Sequence, residues 1–274
     1  MKAKIENIGF YTITSMVVFF SLLPFVWFLN TSLKTQIDVT AMPPTLIPSG
    51  SLSFYQSAIE QYKLLHYVKN SAIVAGASTL LTLLISVFAG YALSRLRIKY
   101  KGLIMGSLLL VSMFPQISIA GPVWKILQSI GWLNTYQGLI LPYVTLTLPL
   151  GVWILASFFK ELPEELEDAA KIDGCSRVQT LFKVIIPLAA PGVFTAAILV
   201  FIYAWNEFFF ALLIMTQQEY QTLPVGIVMF QGQYTMPWGE IAAASTVATV
   251  PLVLIVFIFQ KRIVRGLSAG AIKG

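Results

Sequence analysis

Residues 161–183 read ELPEELEDAAKIDGCSRVQTLFK, and this one stretch holds six of the chain's twelve acidic residues. On both sides the sequence falls back into long apolar runs, so the stretch is a charged island in an oily chain. A membrane protein gathers polar residues in such a loop when something soluble docks there. A segment that merely joined two spans would be shorter and less patterned.

Stretches free of Asp, Glu, Lys and Arg run over 7–33, 70–94, 102–124, 126–159, 184–206 and 241–260. A helix needs about 20 mostly apolar residues to cross the hydrocarbon core. Six spans therefore fit, the fifth continuing past Glu207. A membrane barrel would show short alternating segments instead. The chain is 57% hydrophobic and 11% charged, with mean hydropathy +0.78, whereas soluble domains are about a quarter charged. The expected fold is an all-α membrane protein with six transmembrane helices. The first apolar run is too long for a cleaved signal peptide, and no cleavage site follows Pro24-Phe25-Val26-Trp27, so it reads as a retained anchor.

The net charge of +6 does not mark a nucleic-acid binder, because the basic residues sit at span ends. Lys2 and Lys4 precede span one, and Arg95, Arg97, Lys99 and Lys101 separate spans two and three. Lys160, Lys171, Arg177 and Lys183 separate four and five, and Lys261, Arg262, Arg265 and Lys273 follow six. Fourteen of eighteen thus fall on one side, leaving Lys34, Lys63, Lys69 and Lys125 on the other. The positive-inside rule then places both termini and the charged island in the cytoplasm. The expected organisation is a first helix and outer loop over 1–68, a five-helix core over 69–262, and a cytoplasmic tail over 263–274.

Within the island, Pro163 suits the first helical position, and Glu164 and Glu165 favour the positive helix end. Leu162, Leu166, Ala169 and Ala170 fall on one stripe, read as exposed, whose two alanines would allow close approach to a partner. Glu164, Glu167, Asp168 and Lys171 point elsewhere. Gly174 stops the helix as a left-handed cap. Ser176 starts a second helix, with Gln179 completing a capping box, and Val178, Leu181, Phe182 and Ile185 share one face before Pro187. Cys175, the only cysteine, reads as a packing residue, and no metal site or catalytic group is expected.

Asp168-Ala169-Ala170, three residues, Gly174, nine residues, then Val184-Ile185-Ile186-Pro187 resembles the signature of binding-protein-dependent ABC importer permeases. That signature reads Glu-Ala-Ala, three residues, Gly, nine residues, Ile-x-Leu-Pro. The departures at 168, 184 and 186 keep charge sign and apolar character. Ala204-Trp205-Asn206-Glu207-Phe208, Trp238-Gly239, and the tail from Phe259-Gln260 through Arg265-Gly266-Leu267 to Gly274 are similar to the carbohydrate-uptake branch of maltose or trehalose type. The resemblance implies a type I ABC importer permease fold in a prokaryotic cytoplasmic membrane. It also implies that the 163–174 helix is a coupling helix, with Glu164, Glu165, Glu167, Asp168, Ala169, Ala170, Asp173 and Gly174 docking an ATPase. The implied partners are a second homologous permease, a dimer of ABC ATPase subunits, and an extracytoplasmic solute-binding protein. ATP and Mg would sit on the ATPase, since this chain has no G-x-x-x-x-G-K-[ST] loop and carries no cofactor.

Candidate residues for the translocation path or a gate are Tyr203, Trp205, Asn206 and Glu207. A carboxylate within a membrane helix costs roughly 2.5–3.5 kcal/mol on insertion scales, so Glu207 needs a pore, a partner or water. Its neighbours could stack on and hydrogen-bond a polyhydroxylated solute. Alternatively Asn206 and Glu207 bond between helices, or lie near the outer interface with Trp205 as a belt aromatic. Asn70, Gln116, Thr145, Thr147 and Trp153 are weaker candidates. In the outer loop before span six, Gln231, Gln233, Tyr234 and Trp238 would contact the solute-binding protein or anchor at the membrane surface. Two other function classes compete. An ion-coupled secondary transporter usually shows inverted repeats and intramembrane charges, for which Glu207 alone is thin support. A membrane-embedded enzyme would need a nucleophile–base pair, and none can be proposed.

Overall fold

A computed structural model describes residues 2–230 and 236–271, with side chains over 9–230 and 236–260. Among the described residues every regular element is helical. The first six are α1 (Lys2–Ser32), α2 (Gln36–Thr40), α3 (Ser53–Glu60), α4 (Leu64–Arg95), α5 (Lys101–Ser112) and α6 (Gln116–Ser129). Then come α7 (Tyr136–Glu161), α8 (Glu165–Ile172), α9 (Arg177–Thr180), a π-helical turn (Leu181–Ile185) and α10 (Ile186–Leu188). The chain continues through α11 (Ala190–Asn206), α12 (Phe209–Ile214), α13 (Leu223–Val228) and α14 (Trp238–Ala271).

Four of these are long and apolar enough to cross a bilayer: Gly9–Ser32, Leu64–Arg95, Tyr136–Glu161 and Trp238–Gln260. The number rises to six if two bent pairs each make one span. These are α5 with α6, bent by 90°, and 177–188 with α11, bent by 81°. Prolines explain both bends. Pro115 disfavours helical backbone at Phe114 and itself has ψ of 123°. Pro187 and Pro191 flank the bend at Ala189. Pro24, Pro142, Pro149 and Pro251 lie inside helices assigned as continuous.

Three expected spans need correction. The 102–124 run is not one helix but breaks between α5 and α6. The 126–159 run starts in the last turn of α6 and crosses a turn before α7, where Gly131 and Asn134 take φ of 71° and 56°. Lack of charge cannot mark that turn. Span five does not continue unbroken past Glu207: α11 ends at Asn206, Glu207 is extended with ψ of 129°, and α12 restarts at Phe209.

The chain divides into two compact units. One comprises 1–66 and 226–251. In it, α1 exposes all its large apolar side chains from Phe10 to Leu29. The loop after α1 is held by side-chain bonds. Ser32 Oγ and Tyr55 Oη bond at 2.8 Å. Thr35 caps α2: its hydroxyl accepts the Asp38 N–H, and its own N–H donates to the Asp38 carboxylate at 3.0 Å. These bonds from Thr35 hold the Asp38 carboxyl below the usual carboxylate range. Phe54 is buried directly over Gly239, where an added Cβ would lie 2.2 Å from the ring. Ser57 donates to Glu240 at 3.1 Å, and Tyr62 stacks on Phe230 at 4.4 Å.

The other unit comprises 67–225 and 252–274. Its core includes Val87, Tyr91, Leu155, Phe159, Leu181, Ile185 and Ala196. Lipid tails are as apolar as leucine, so close packing rather than water exclusion must hold these helices together. The small residues of α4 serve that purpose. A Cβ on Gly151 of α7 would lie 2.5 Å from Ser86 Oγ, and one on Gly90 would lie 3.1 Å from the Ala156 nitrogen. Thr82 and Thr147 bond across the same contact at 2.8 Å. Ala75 of α4 is also buried, whereas Ala72 and Gly76 are exposed.

Candidate functional site

The island folds as a helix, a tight turn and a second short helix. Helix α8 begins at Glu165, so Pro163 precedes it rather than occupying its first position. Its end is a Schellman cap. Gly174 takes φ of +78°, its N–H donates to the Lys171 carbonyl at 3.0 Å, and Cys175 N–H reaches back to the Ala170 carbonyl at 2.9 Å. The second start is a full capping box: Ser176 N–H donates to Gln179 Oε1 at 2.8 Å, and Gln179 N–H to Ser176 Oγ at 3.3 Å.

The faces of α8 reverse the expectation. Ala170 is buried and Leu162 and Leu166 are half-buried, so the apolar stripe lies against the chain's own core. Leu162 packs directly on the cluster of Tyr91, Phe159 and Leu181. An apolar stripe beside an apolar core is buried by it rather than presented to a partner. Only Ala169 of the two alanines is exposed, together with Glu164, Glu165, Asp168, Asp173 and Gly174. The apolar residue on the outer face is Ile172, which is 87% exposed. The predicted face of the second helix also splits, because the π turn changes its register. Leu181 and Ile185 are buried, while Val178 and Phe182 are exposed.

Glu167 turns inward, and its neighbour Asp168 turns outward. Arg95, the last residue of α4, sets its Nε 3.2 Å from Glu167 Oε1, with side chains only 4% and 14% exposed. The same guanidinium donates through Nη2 to the carbonyls of Phe159 and Leu162, at the end of α7. Tyr91, one turn before Arg95, donates its hydroxyl to Glu167 Oε2 at 3.1 Å. Asp168 instead pairs with Lys171 at 2.8 Å on the surface. No local pattern announces Arg95, which sequence reading counts only as a charge at a span end.

Glu207 is 8% exposed and its carboxylate is fully engaged. Tyr143 of α7 donates to Oε2 at 2.5 Å, Phe210 N–H to Oε1 at 2.9 Å, and Ala211 N–H to Oε2 at 3.2 Å. The residue thus caps the start of α12 and ties it to α7. Asn206 is exposed and bonds to its own helix at the Ile202 carbonyl. Trp205 is buried and stacks on Phe201. Tyr203 is half-buried, and its hydroxyl accepts from Gln116 Nε2 at 2.6 Å. Gln116 opens α6 beside the Pro115 break, so the two broken spans meet through this bond.

Asn70 is fully buried and structural. It donates to the Glu219 and Gln221 carbonyls, both at 2.9 Å, and accepts from Tyr136 at 2.7 Å. Ser71 Oγ accepts the Leu223 N–H, and Asn134 accepts the Gln217 N–H. These bonds pin the start of the outer loop. Gln231, Gln233 and Tyr234 lie outside the described residues, and Trp238 is 60% exposed.

Comparison with known proteins gives this arrangement a context. Residues 82–269 match the family described as "Binding-protein-dependent transport system inner membrane component". The trehalose/maltose transport system permease protein MalG of Thermococcus litoralis is 48% identical over 92% of this chain and 92% of its own length. The sulfoquinovosyl glycerol transport system permease protein SmoH of Agrobacterium fabrum is 46% identical over 95% of this chain and 92% of its own. Among solved structures, a chain of a bacterial ABC transporter involved in import of the acidic polysaccharide alginate shares the fold. Its TM-score is 0.81 at 20% identity, covering 95% of this chain and 97% of that one. The matched region holds the capped island, the break at Glu207 and most of the last helix, and the chain belongs to the family of binding-protein-dependent transport system inner membrane components.

Proposed function

We propose that this chain is one of two membrane-spanning subunits of an ATP-driven importer for a sugar, a disaccharide, oligosaccharide or small glycoside. In this reading the bent pairs are spans three and five, giving six spans in a prokaryotic cytoplasmic membrane. Both termini and the 161–183 island face the cytoplasm, as the distribution of basic residues favours. The solute arrives on an extracytoplasmic binding protein that contacts the outer loops, Trp238 included. ATP and Mg are bound by a pair of separate ATPase subunits.

The observation that carries the reading is α8 itself: a short helix, rigidly capped at Gly174, presenting Asp168, Ala169 and Ile172 outward between two apolar spans. In this reading Ile172, 87% exposed, and the Asp168 carboxylate one turn before it belong to the surface on which the soluble ATPase docks. Closure of the ATPase pair would push this helix, and the membrane helices would alternate between inward- and outward-facing arrangements. Glu207 acts in this reading as a brace at the break between α11 and α12, while Tyr203 and Asn206 remain the residues of this segment able to meet a solute.

The test is uptake of radiolabelled trehalose and maltose by proteoliposomes containing this chain, its partner permease, the ATPase pair and the binding protein. Uptake is expected only with internal ATP and all components present. Uptake by this chain without the ATPase, or an ATPase that no disaccharide, oligosaccharide or glycoside on the binding protein stimulates, would overturn the reading; failure with trehalose and maltose alone would exclude only those two sugars.

A further inference from the structure

We infer that Arg95 is a positioning residue for energy coupling, a buried clamp that fixes the rotation of α8 and makes the inner ends of α4 and α7 move with it. The inference rests on the coupling role proposed above and adds the route by which the helix acts on the membrane spans.

Three helix ends meet at one guanidinium. Arg95 closes α4, the carbonyls of Phe159 and Leu162 close α7, and Glu167 belongs to the first turn of α8. The last carbonyls of a helix lack partners within it and carry the negative end of its dipole. Arg95 donates to two carbonyls at the end of α7, that of Leu162 and that of Phe159, which also accepts the Leu162 N–H, while its Nε faces the Glu167 carboxylate. A planar guanidinium with several fixed donors can do this, and a lysine ammonium cannot reach the same three groups in the same geometry. Tyr91 holds the other carboxylate oxygen at 3.1 Å and rests edge-on against Phe159. One oxygen of Glu167 is thus hydrogen-bonded from α4, and the other is held 3.2 Å from the Arg95 Nε as an ion pair without hydrogen-bond geometry.

The clamp decides which way α8 faces. Glu167 and Asp168 are consecutive and so lie about 100° apart around a helix. With Glu167 locked to Arg95, Asp168, Ala169 and Ile172 point outward. Released from Arg95, the eight-residue helix keeps the Tyr91 bond to Glu167, the packing of Ala170 and Leu166, and its flanking turns to hold its orientation. Through the clamp, a push on α8 also reaches α4 and α7 directly and not only the chain that leads to α11. The surface pair of Asp168 with Lys171, 69% and 59% exposed, is not part of this device. Arg97 and Arg177 line the same cleft, about 790 Å³, and neither is bonded to Glu167.

The experiment measures trehalose uptake and ATP hydrolysis side by side in the reconstituted complex. Glu167→Gln keeps Arg95 on the α7 carbonyls, so assembly is retained; uptake per ATP hydrolysed is expected to fall by roughly two- to thirtyfold. Arg95→Met should fall at least as far, and Arg95→Lys should lie between it and the native protein. Asp168→Asn, on the outer face, should lower uptake and hydrolysis together. If Glu167→Gln lowers both in proportion, or changes neither, the clamp has no positioning role. If Arg95→Met fails to assemble, the ratio measured for Glu167→Gln decides the matter alone. Absence of ATP-driven uptake of any disaccharide, oligosaccharide or glycoside in the native complex would overturn the functional reading itself, an outcome distinct from an unchanged ratio in the variants.

Discussion

The Tyr143 hydroxyl donates to the Glu207 carboxylate at 2.5 Å, joining the middle of α7 to a break in the chain between α11 and α12. The same carboxylate accepts two backbone N–H groups from the first turn of α12, so all its bonds are made within the protein. A buried acceptor whose donors are all supplied contributes to stability, whereas one deprived of them costs the desolvation of each orphaned group. Glu207→Gln leaves one carbonyl oxygen, which can serve the donors on one side only, and turns an NH₂ toward the donor or donors on the other. We predict a loss of about 1–3 kcal/mol, read as a lower Tm in detergent. Tyr143→Phe should lose less, and the double variant less than the sum, because the two share one bond. The apparent KM for trehalose should stay at the native value in whatever complex assembles. A large rise in KM would instead place Glu207 in contact with the solute.

Gly192 of α11 has no room for a side chain. A Cβ there would lie 2.3 Å from the Phe158 ring, and the position is buried between α7 and α11. Gly192→Ala should destabilise by about 1–3 kcal/mol through overpacking. Adding Phe158→Ala, which removes the Cγ and Cδ2 atoms that the methyl would meet, should give a double variant less destabilised than the sum of the two single losses. Thermal unfolding of the single and double variants checks this. Additive losses would mean that the two side chains do not compete for one space.

How much of this was legible in advance depends on whether the cause was local. Gly174, Ser176 and Gln179 specify their turn with their own backbone chemistry, and the structure repeats the reading bond for bond. Six apolar runs gave the helical class but not the ends of the helices. The bend at Pro115 and the turn at Gly131 and Asn134 contain no charge, so charge-free stretches ran straight through them. The local signals were there, in a proline after an aromatic and a glycine with an asparagine three positions on. The orientation of α8 could not be read locally. Its outward face is fixed by Arg95, 72 positions before Glu167, and by a core already apolar enough to claim Ala170. Tyr143 as the partner of Glu207 is equally remote, 64 positions away.

Ile172 offers a direct test of the outer face. It is 87% exposed, so Ile172→Ser should leave folding and membrane insertion unchanged. Burial of an isoleucine side chain in a partner groove is worth about 1.5–3 kcal/mol, so affinity for the ATPase should weaken roughly ten- to hundredfold. Ala169→Trp, on the same face, should block docking by bulk, whereas a change at the buried Ala170 should act on the fold instead. Pull-down of the ATPase by solubilised variants separates these outcomes. Unchanged capture with Ile172→Ser would show that the ATPase docks elsewhere.

Asp38 gives a prediction about pH on the outer loop. The Thr35 N–H and hydroxyl, assisted by Ser49 and the charge of Lys34, hold its carboxyl below the ordinary value in the folded state. A depressed folded pKa means that the unfolded chain binds the proton more readily. The cap's contribution is therefore fully present above the ordinary aspartate range and is lost as pH falls through the lower, folded value. Hydrogen exchange at the amides of Asp38 and Val39, once corrected for intrinsic rates, should be constant from neutral pH down to about pH 5 and lose protection below about pH 4. Thr35→Ala removes the hydroxyl, and with it the acceptor of the Asp38 N–H, but keeps the backbone donor and the carbonyl that Val39 N–H reaches, so at Val39 the loss should begin at a higher pH than in the native protein. An identical onset in the two proteins would show that the Thr35 hydroxyl does not set the carboxyl's pKa.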